Sequence, residues 1–521
     1  MKKIITLVIC LGLLQWVSGQ NYPVKENVLK NHLKPFREVR SSTEKTHKPF
    51  PGSAHLVSNP ENLFFRQKDA TLQQLDGLVW TFFNDQTSAW ENDSRFEYYY
   101  DAGMHLAIEI YGTWSNPDNK WINAEKDTYK YDNNGNITKQ TVYYWDSDTG
   151  NWANVSGYTY SYNANGYLVE YTEIYWLTDL QDWINNEKKN FSYNDAGNVT
   201  EIDFSFWDAN NNEWVIGSKY ENAYTNSGNL ENQIISYNNG TDEWSNYQQH
   251  NYTYDGNGNK LSDITYNWDG ISSWTESSKS AYSYDENANL LDKTEFGWDP
   301  ATSTWINYRE YIYMYNSTDN VITGETDKMW DNTNAEWVNM YSYEFIYDSK
   351  GNFINETDKV WDETKSDWIN YYKTDIEYTT SMNASDLVLP FDENTIVTFF
   401  SHGRIETISD FLWDTQTNTW LQYDNAKFHY SNFNPTGIGD VLSKQHFKIY
   451  PNPVTDILTI NLGDYNTAEF TVISENGEKV IVMQLEDQQN LVHLKSLKPG
   501  NYIIELRHNN QRIYMERIVK L

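Results

Sequence analysis

An aspartate follows a tryptophan or its equivalent at Asp146, Asp208, Asp269, Asp299, Asp331, Asp362 and Asp414, and carboxylates in short polar loops are where a calcium ion would bind. Asp146-Ser147-Asp148-Thr149-Gly150-Asn151 comes nearest to such a loop, with Asp146 and Asp148 as the carboxylates it would use. Calcium takes about six to eight oxygens from closely spaced positions. Most of these loops continue with Thr, Asn or Ser, which suits a turn whose aspartate bonds its own backbone. The turn is the expected role, so no cofactor is expected, with calcium as the alternative. A second chemistry lies in the rings. Trp145, Trp207, Trp298, Trp330 and Trp361 are each followed seven residues later by another Trp. Rings facing each other across a hairpin act as a clasp. The same rings stacked from unit to unit would form a ladder of flat faces for sugars, which makes those five the candidate glycan contacts. Catalysis has less to build on. Histidines fall singly, without metal-ligand spacing, and no nucleophile elbow, phosphate loop or dinucleotide fingerprint occurs. Carboxylates for glycoside hydrolysis are plentiful, but near-equivalent repeats single out no pair. A non-enzymatic protein is expected.

These residues sit in a repeat. Tyr131, Tyr162, Tyr193, Tyr224, Tyr254, Tyr284, Tyr315, Tyr347 and Tyr378 recur every 30 to 32 residues, and Tyr131, Tyr193, Tyr254 and Tyr347 open a Tyr-Asp/Asn-x-x-Gly-Asn turn. Trp114, Trp145, Trp176, Trp207, Trp268, Trp298, Trp330 and Trp361 keep the same period, with Tyr237 in place of one Trp. In the unit from Trp183 to Trp214, strands are expected at 184–193 and 198–207 around the turn Asn194-Asp195-Ala196-Gly197, whose glycine supplies a positive φ. A fixed period of this length marks a repeat architecture. About eleven units between 76 and 432 predict an all-β array of tandem hairpins, one long twisted antiparallel sheet or spiral. A β-propeller is the alternative. The step from Trp361 to Trp413 holds an insertion, irregular over about 381–398, read as a bulge or as a cap on the exposed end.

Aromatics make up 16% of the chain and the mean hydropathy is -0.76, so the buried surface is mostly rings with wet tips. Of the formal charge of -34, residues 76–446 carry -39, while residues 20–75 hold nine basic and five acidic residues. That field repels phosphate backbones and anionic lipid, which excludes nucleic acid as a partner. Lys2 and Lys3 precede an apolar run from Ile4 to Leu14, and small residues precede Gln20, so residues 1–19 read as a secretory signal peptide. The run is shorter than the roughly 20 residues of a spanning helix, and no transmembrane segment is expected. The only cysteine, Cys10, lies inside it. Residues 20–75 form an aperiodic leader.

After a linker at 433–446, composition changes to aliphatic strands without Trp. About seven short strands over residues 447–521 predict a small β-sandwich. Tyr450-Pro451-Asn452-Pro453, Leu497-Lys498-Pro499-Gly500-Asn501-Tyr502 and the closing Lys520 resemble the type A C-terminal sorting domain of the type IX secretion system of Bacteroidetes. The resemblance implies entry to the periplasm by the signal peptide, passage across the outer membrane on the type IX machinery, and release or surface attachment. It also implies Pro451, Asn452, Pro453, Gly500, Tyr502 and Lys520 as signal residues. The Tyr252-Thr253-Tyr254-Asp255-Gly256-Asn257-Gly258-Asn259 stretch and its sisters are similar to the YD repeats of Rhs-type and toxin-complex shells. The units here are longer and lack the arginine typical of that motif, so a β-hairpin spiral is what the resemblance implies. The function expected is that of a secreted or cell-surface structural or adhesive repeat protein, with glycan binding as the alternative.

Overall fold

The computed structural model describes residues 72–433 and 448–521, apart from 239–242, 318–319, 380–381, 392–398, 401, 463–466, 475–478, 488 and 509–510. The signal peptide, the leader up to residue 71 and the linker lie outside the described residues.

Strands run from β1 (Gln73–Asn84) and β2 (Ala89–Tyr100) through β20 (Asp367–Thr379), then β21 (Leu387–Val388), β22 (Arg404–Asp414) and β23 (Thr419–Asn432). Consecutive strands pair antiparallel, β20 pairs with β22, and β1 pairs with both β2 and β23. The array therefore closes into a barrel of 22 antiparallel strands. The open twisted sheet or spiral expected from the sequence is corrected by this closure, as is its propeller alternative. An open array of hairpins leaves a row of unpaired N–H and C=O groups at each end, and pairing Gln73–Phe82 with Asp424–Asn432 removes both.

Within a unit, the expected strands appear as Asp182–Tyr193 and Val199–Asp208. One residue bulges in the strand after each Trp pair, shifting the register between Ile216 and Ser218, for example. The insertion packs onto the barrel as a cap. Leu387 and Val388 pair parallel with Gln73 and Gln74, and Phe399 and Phe400 are fully buried against Tyr343, Phe345, Phe353 and Phe428.

Residues 448–520 hold β24 (Lys448–Tyr450), β25 (Ile457–Asn461), β26 (Ala468–Ser474), β27 (Lys479–Leu485), β28 (Gln489–His493), β29 (Gly500–His508) and β30 (Gln511–Lys520). These strands form two small sheets, and a sandwich of the two is not shown. A three-stranded sheet, β24-β25-β28, and a four-stranded sheet, β27-β26-β29-β30, contribute Leu458, Val492, Phe470 and Ile504 to one apolar cluster.

Candidate functional site

Three motifs far apart in sequence meet at the end of β30. The Asn452 side-chain oxygen accepts from the Val519 N–H at 3.0 Å, while Val454 donates its N–H to Val519 O and accepts from Leu521 N–H, both at 2.8 Å. Pro451 and Pro453, which have no N–H to donate, flank Asn452 and leave those bonds to it and to Val454. Gly500 lies directly opposite Lys520 in the β29–β30 ladder, and Tyr502 donates its hydroxyl to Lys498 O at 3.0 Å. Lys520 is buried; its ammonium lies 2.6 Å from Leu521 O and 4.0 Å from Asp456. Asn452, Gly500 and Lys520 thus meet at one corner, in which the last strand is held by the segment that opens the domain, while Tyr502 bonds back to Lys498 beside it.

On the barrel, the repeat residues are used by the repeat. The tyrosines at the turn end donate their hydroxyls to a carbonyl 24 or 25 residues earlier: Tyr131 to Leu106, Tyr162 to Ile137, Tyr193 to Leu168 and Tyr224 to Val199, at 2.6 to 2.9 Å. Burial pushes the Tyr162 phenol up to about 12. In the turns, Asp132 accepts from the Asn134 and Asn136 N–H groups, and its second oxygen takes the Asn136 amide. Glycine suits the positive φ there, although Met104 and Ala288 hold the same turn position at φ 71° and 65°. Gly135 has φ 84°, and a Cβ would meet the His105 ring; at Gly197, φ 84°, it would meet the Tyr167 hydroxyl.

At the other rim, the paired tryptophans face each other in register and meet edge to face. Trp145–Trp152, Trp207–Trp214, Trp298–Trp305, Trp330–Trp337 and Trp361–Trp368 have centroids 5.0 to 5.1 Å apart. The five candidate glycan contacts are therefore half-buried, each against a partner ring. Sequence reading missed a second link. A basic side chain from the preceding hairpin lies over the second Trp of the next: Arg95 over Trp121, Lys126 over Trp152, Lys188 over Trp214 and Lys219 over Trp244, at 5.0 to 5.3 Å. Its signal was a basic residue five positions before the repeat tyrosine, present in only some units.

In the Trp-Asp loops, Asp146 accepts from the Asp148 and Thr149 N–H groups and from the Thr149 hydroxyl, and Asp208, Asp331 and Asp414 are engaged likewise. The Thr149 hydroxyl, then the loop amides, hold the Asp146 carboxyl below the usual carboxylate range; Thr364 first of all holds Asp362 down to about 2. Asp148 is exposed beside Asp146. Among the described residues, no three His, Cys, Asp or Glu side chains gather as a metal site needs. Acidic side chains do reach the interior of the packing: Glu325, Asp327, Glu356 and Asp424 are fully buried, and Arg309 reaches Asp327 at 2.7 Å. Sequence reading did not single these out, because a carboxylate among 73 acidic residues carries no mark of its depth.

Residues 448–520 match the family described as secretion system C-terminal sorting domain. No curated protein matches the chain. Among solved structures, it is similar to a protein of unknown function from Bacteroides fragilis, with 19% identity over 24% of this chain and 87% of that one, at a TM-score of 0.21. It is also similar to a structure described as TcdB2-TccC3-TEV, with 10% identity over 83% of this chain and 21% of that one, at a TM-score of 0.30. A third is a porin-like protein from Bacteroides uniformis, with 9% identity over 68% and 98%, at a TM-score of 0.19. Among the described residues, no helix is long and apolar enough to cross a membrane. The C-terminal segment, behind hairpins that resemble YD-type repeats, is thus a secretion sorting domain of the type IX kind, which indicates export of the chain out of the cell.

Proposed function

We propose that the exported chain is a non-enzymatic β-barrel that serves a structural or adhesive role at the cell surface or in the medium, reaching the outer membrane by way of the periplasm. The observation that carries this reading is the use of the repeat's own chemistry. Tyrosine hydroxyls, Trp-Asp carboxylates and Trp rings are taken up by the strands and loops of their own hairpins, and basic side chains over the Trp rings join one hairpin to the next, in the manner of a scaffold. The two small sheets of the sorting domain, which share one apolar cluster, face each other as a sandwich in this reading. Cell fractionation tests the route. The full chain should appear outside the cell, and the chain lacking residues 447–521 should stay in the periplasm; unchanged export of the shortened chain would reject the reading. Glycan binding is a second reading, favoured by the exposure of Trp90 and Trp244 at 44% and 40%. Quenching of tryptophan fluorescence by surface polysaccharide, lost in Trp90→Ala and Trp244→Ala, would support it.

A further inference from the structure

The residue before the first Trp of a pair and the residue after the second are mostly apolar, and the register sets them opposite each other: Tyr144 with Ala153, Phe206 with Val215, Met329 with Val338, Leu412 with Leu421. Strand alternation turns them to the face away from the Trp pairs they adjoin. They form a collar at the Trp-loop rim, and it is open. Tyr144 is 47% exposed, Phe206 52%, Leu412 43% and Leu421 53%. Polar pairs interrupt it at Ser236–Asn246 and Asn267–Thr275, and exposed apolar surface gathered along the rest of one rim marks a contact site.

Charge selects the occupant. The same rim carries the aspartates of the Trp-Asp loops on a barrel region of net charge -39, so a second copy of the rim or an anionic lipid surface would meet its own sign. Residues 20–71 have the opposite character. They carry nine basic and five acidic side chains interleaved with apolar ones, among them Val28, Leu29, Leu33 and Phe36. This segment joins the barrel at Leu72, whose carbonyl accepts from Phe433 N–H at the rim opposite the collar. A 12-residue strand spans about 40 Å and a segment of this length up to about 170 Å, so it can reach the collar. Tethering supplies an effective concentration on the order of millimolar. We propose that the apolar collar is a docking surface for the chain's own basic leader, residues 20–71, held there by apolar contact and by the acidic rim.

The mature chain from Gln20, with p-benzoylphenylalanine at Leu421, tests this. The control carries the photoprobe at Ser192, exposed on the other face near the turn end. Illumination should join the Leu421 probe to residues 20–71 of the same chain, with a yield about tenfold above the control, and salt of about 1 M, which shortens the Debye length to about 3 Å, should reduce that yield several-fold. Replacing Lys30, Lys34, Arg37 and Arg40 with Glu should abolish it, while the thermal midpoint shows the barrel intact. Crosslinks to a second copy, crosslinks to added vesicles of anionic lipid, or a yield equal to the control would each overturn the proposal.

Discussion

Tyr162 shows what a repeated residue is repeated for. Its hydroxyl bonds Ile137 O at 2.9 Å, joining the end of one strand to the start of the one before it. Tyr162→Phe keeps the ring and loses the donor, so it should cost about 1 kcal/mol, read as a lower urea midpoint at unchanged slope. The pH dependence has a definite sign. An unfolded phenol ionises near pH 10, whereas burial holds Tyr162 protonated up to about 12. Between those values the unfolded state binds fewer protons than the native one, so stability should fall as pH rises, and fall less in Tyr162→Phe. The tyrosine spacing was legible in the sequence because it is periodic. Its acceptor was not, because a backbone carbonyl carries no residue type.

At the level of the hairpin, the clasp and its loop act together. A double-mutant cycle on Trp207 and Trp214, which meet at 5.1 Å, should give a coupling of about 0.5–1.5 kcal/mol, and additive single mutants would deny the pair any special contact. In the adjoining loop, Asp208→Asn keeps an oxygen for the Asn210 N–H but gives up the acceptor of the Asn211 side-chain amide, so it should lower the midpoint less than Asp208→Ala, which removes both. If calcium were held there instead, Asp208→Asn would be the damaging change and calcium would raise the parent midpoint. The insertion belongs to this scale as well. Phe400→Ala should cost about 3–5 kcal/mol, because the ring is fully buried among residues from strands at both sides of the barrel seam. Pairing of Trp with Trp seven residues on was legible, since a hairpin places those positions opposite. The apolar collar was harder to see, because it is defined by register and by the bulge rather than by a conspicuous residue.

For the whole molecule, closure was the feature the sequence did not announce. Each hairpin reports its own turn and clasp, but the meeting of β1 with β23 depends on the curvature accumulated over 22 strands. No residue of either strand encodes that sum. The charge sets a prediction at this scale: with -39 on residues 76–446, raising monovalent salt from about 0.01 to 0.15 M shortens the Debye length from about 30 to 8 Å and should raise the melting temperature. A midpoint independent of salt would show the like charges already balanced. The seam has one more consequence. Gln73 pairs with Asn432, and Phe433 N–H bonds Leu72 O at 2.7 Å, so the N-terminal and C-terminal arms leave the barrel side by side. A pull between them loads the β1–β23 ladder from one end, so its hydrogen bonds break in turn, as in a zipper, instead of sharing the load in shear. Stretched by its ends in an optical trap, the protein should open at low force, one hairpin after another, and a chain tethered by its tail and tugged at its leader would yield by paying out length.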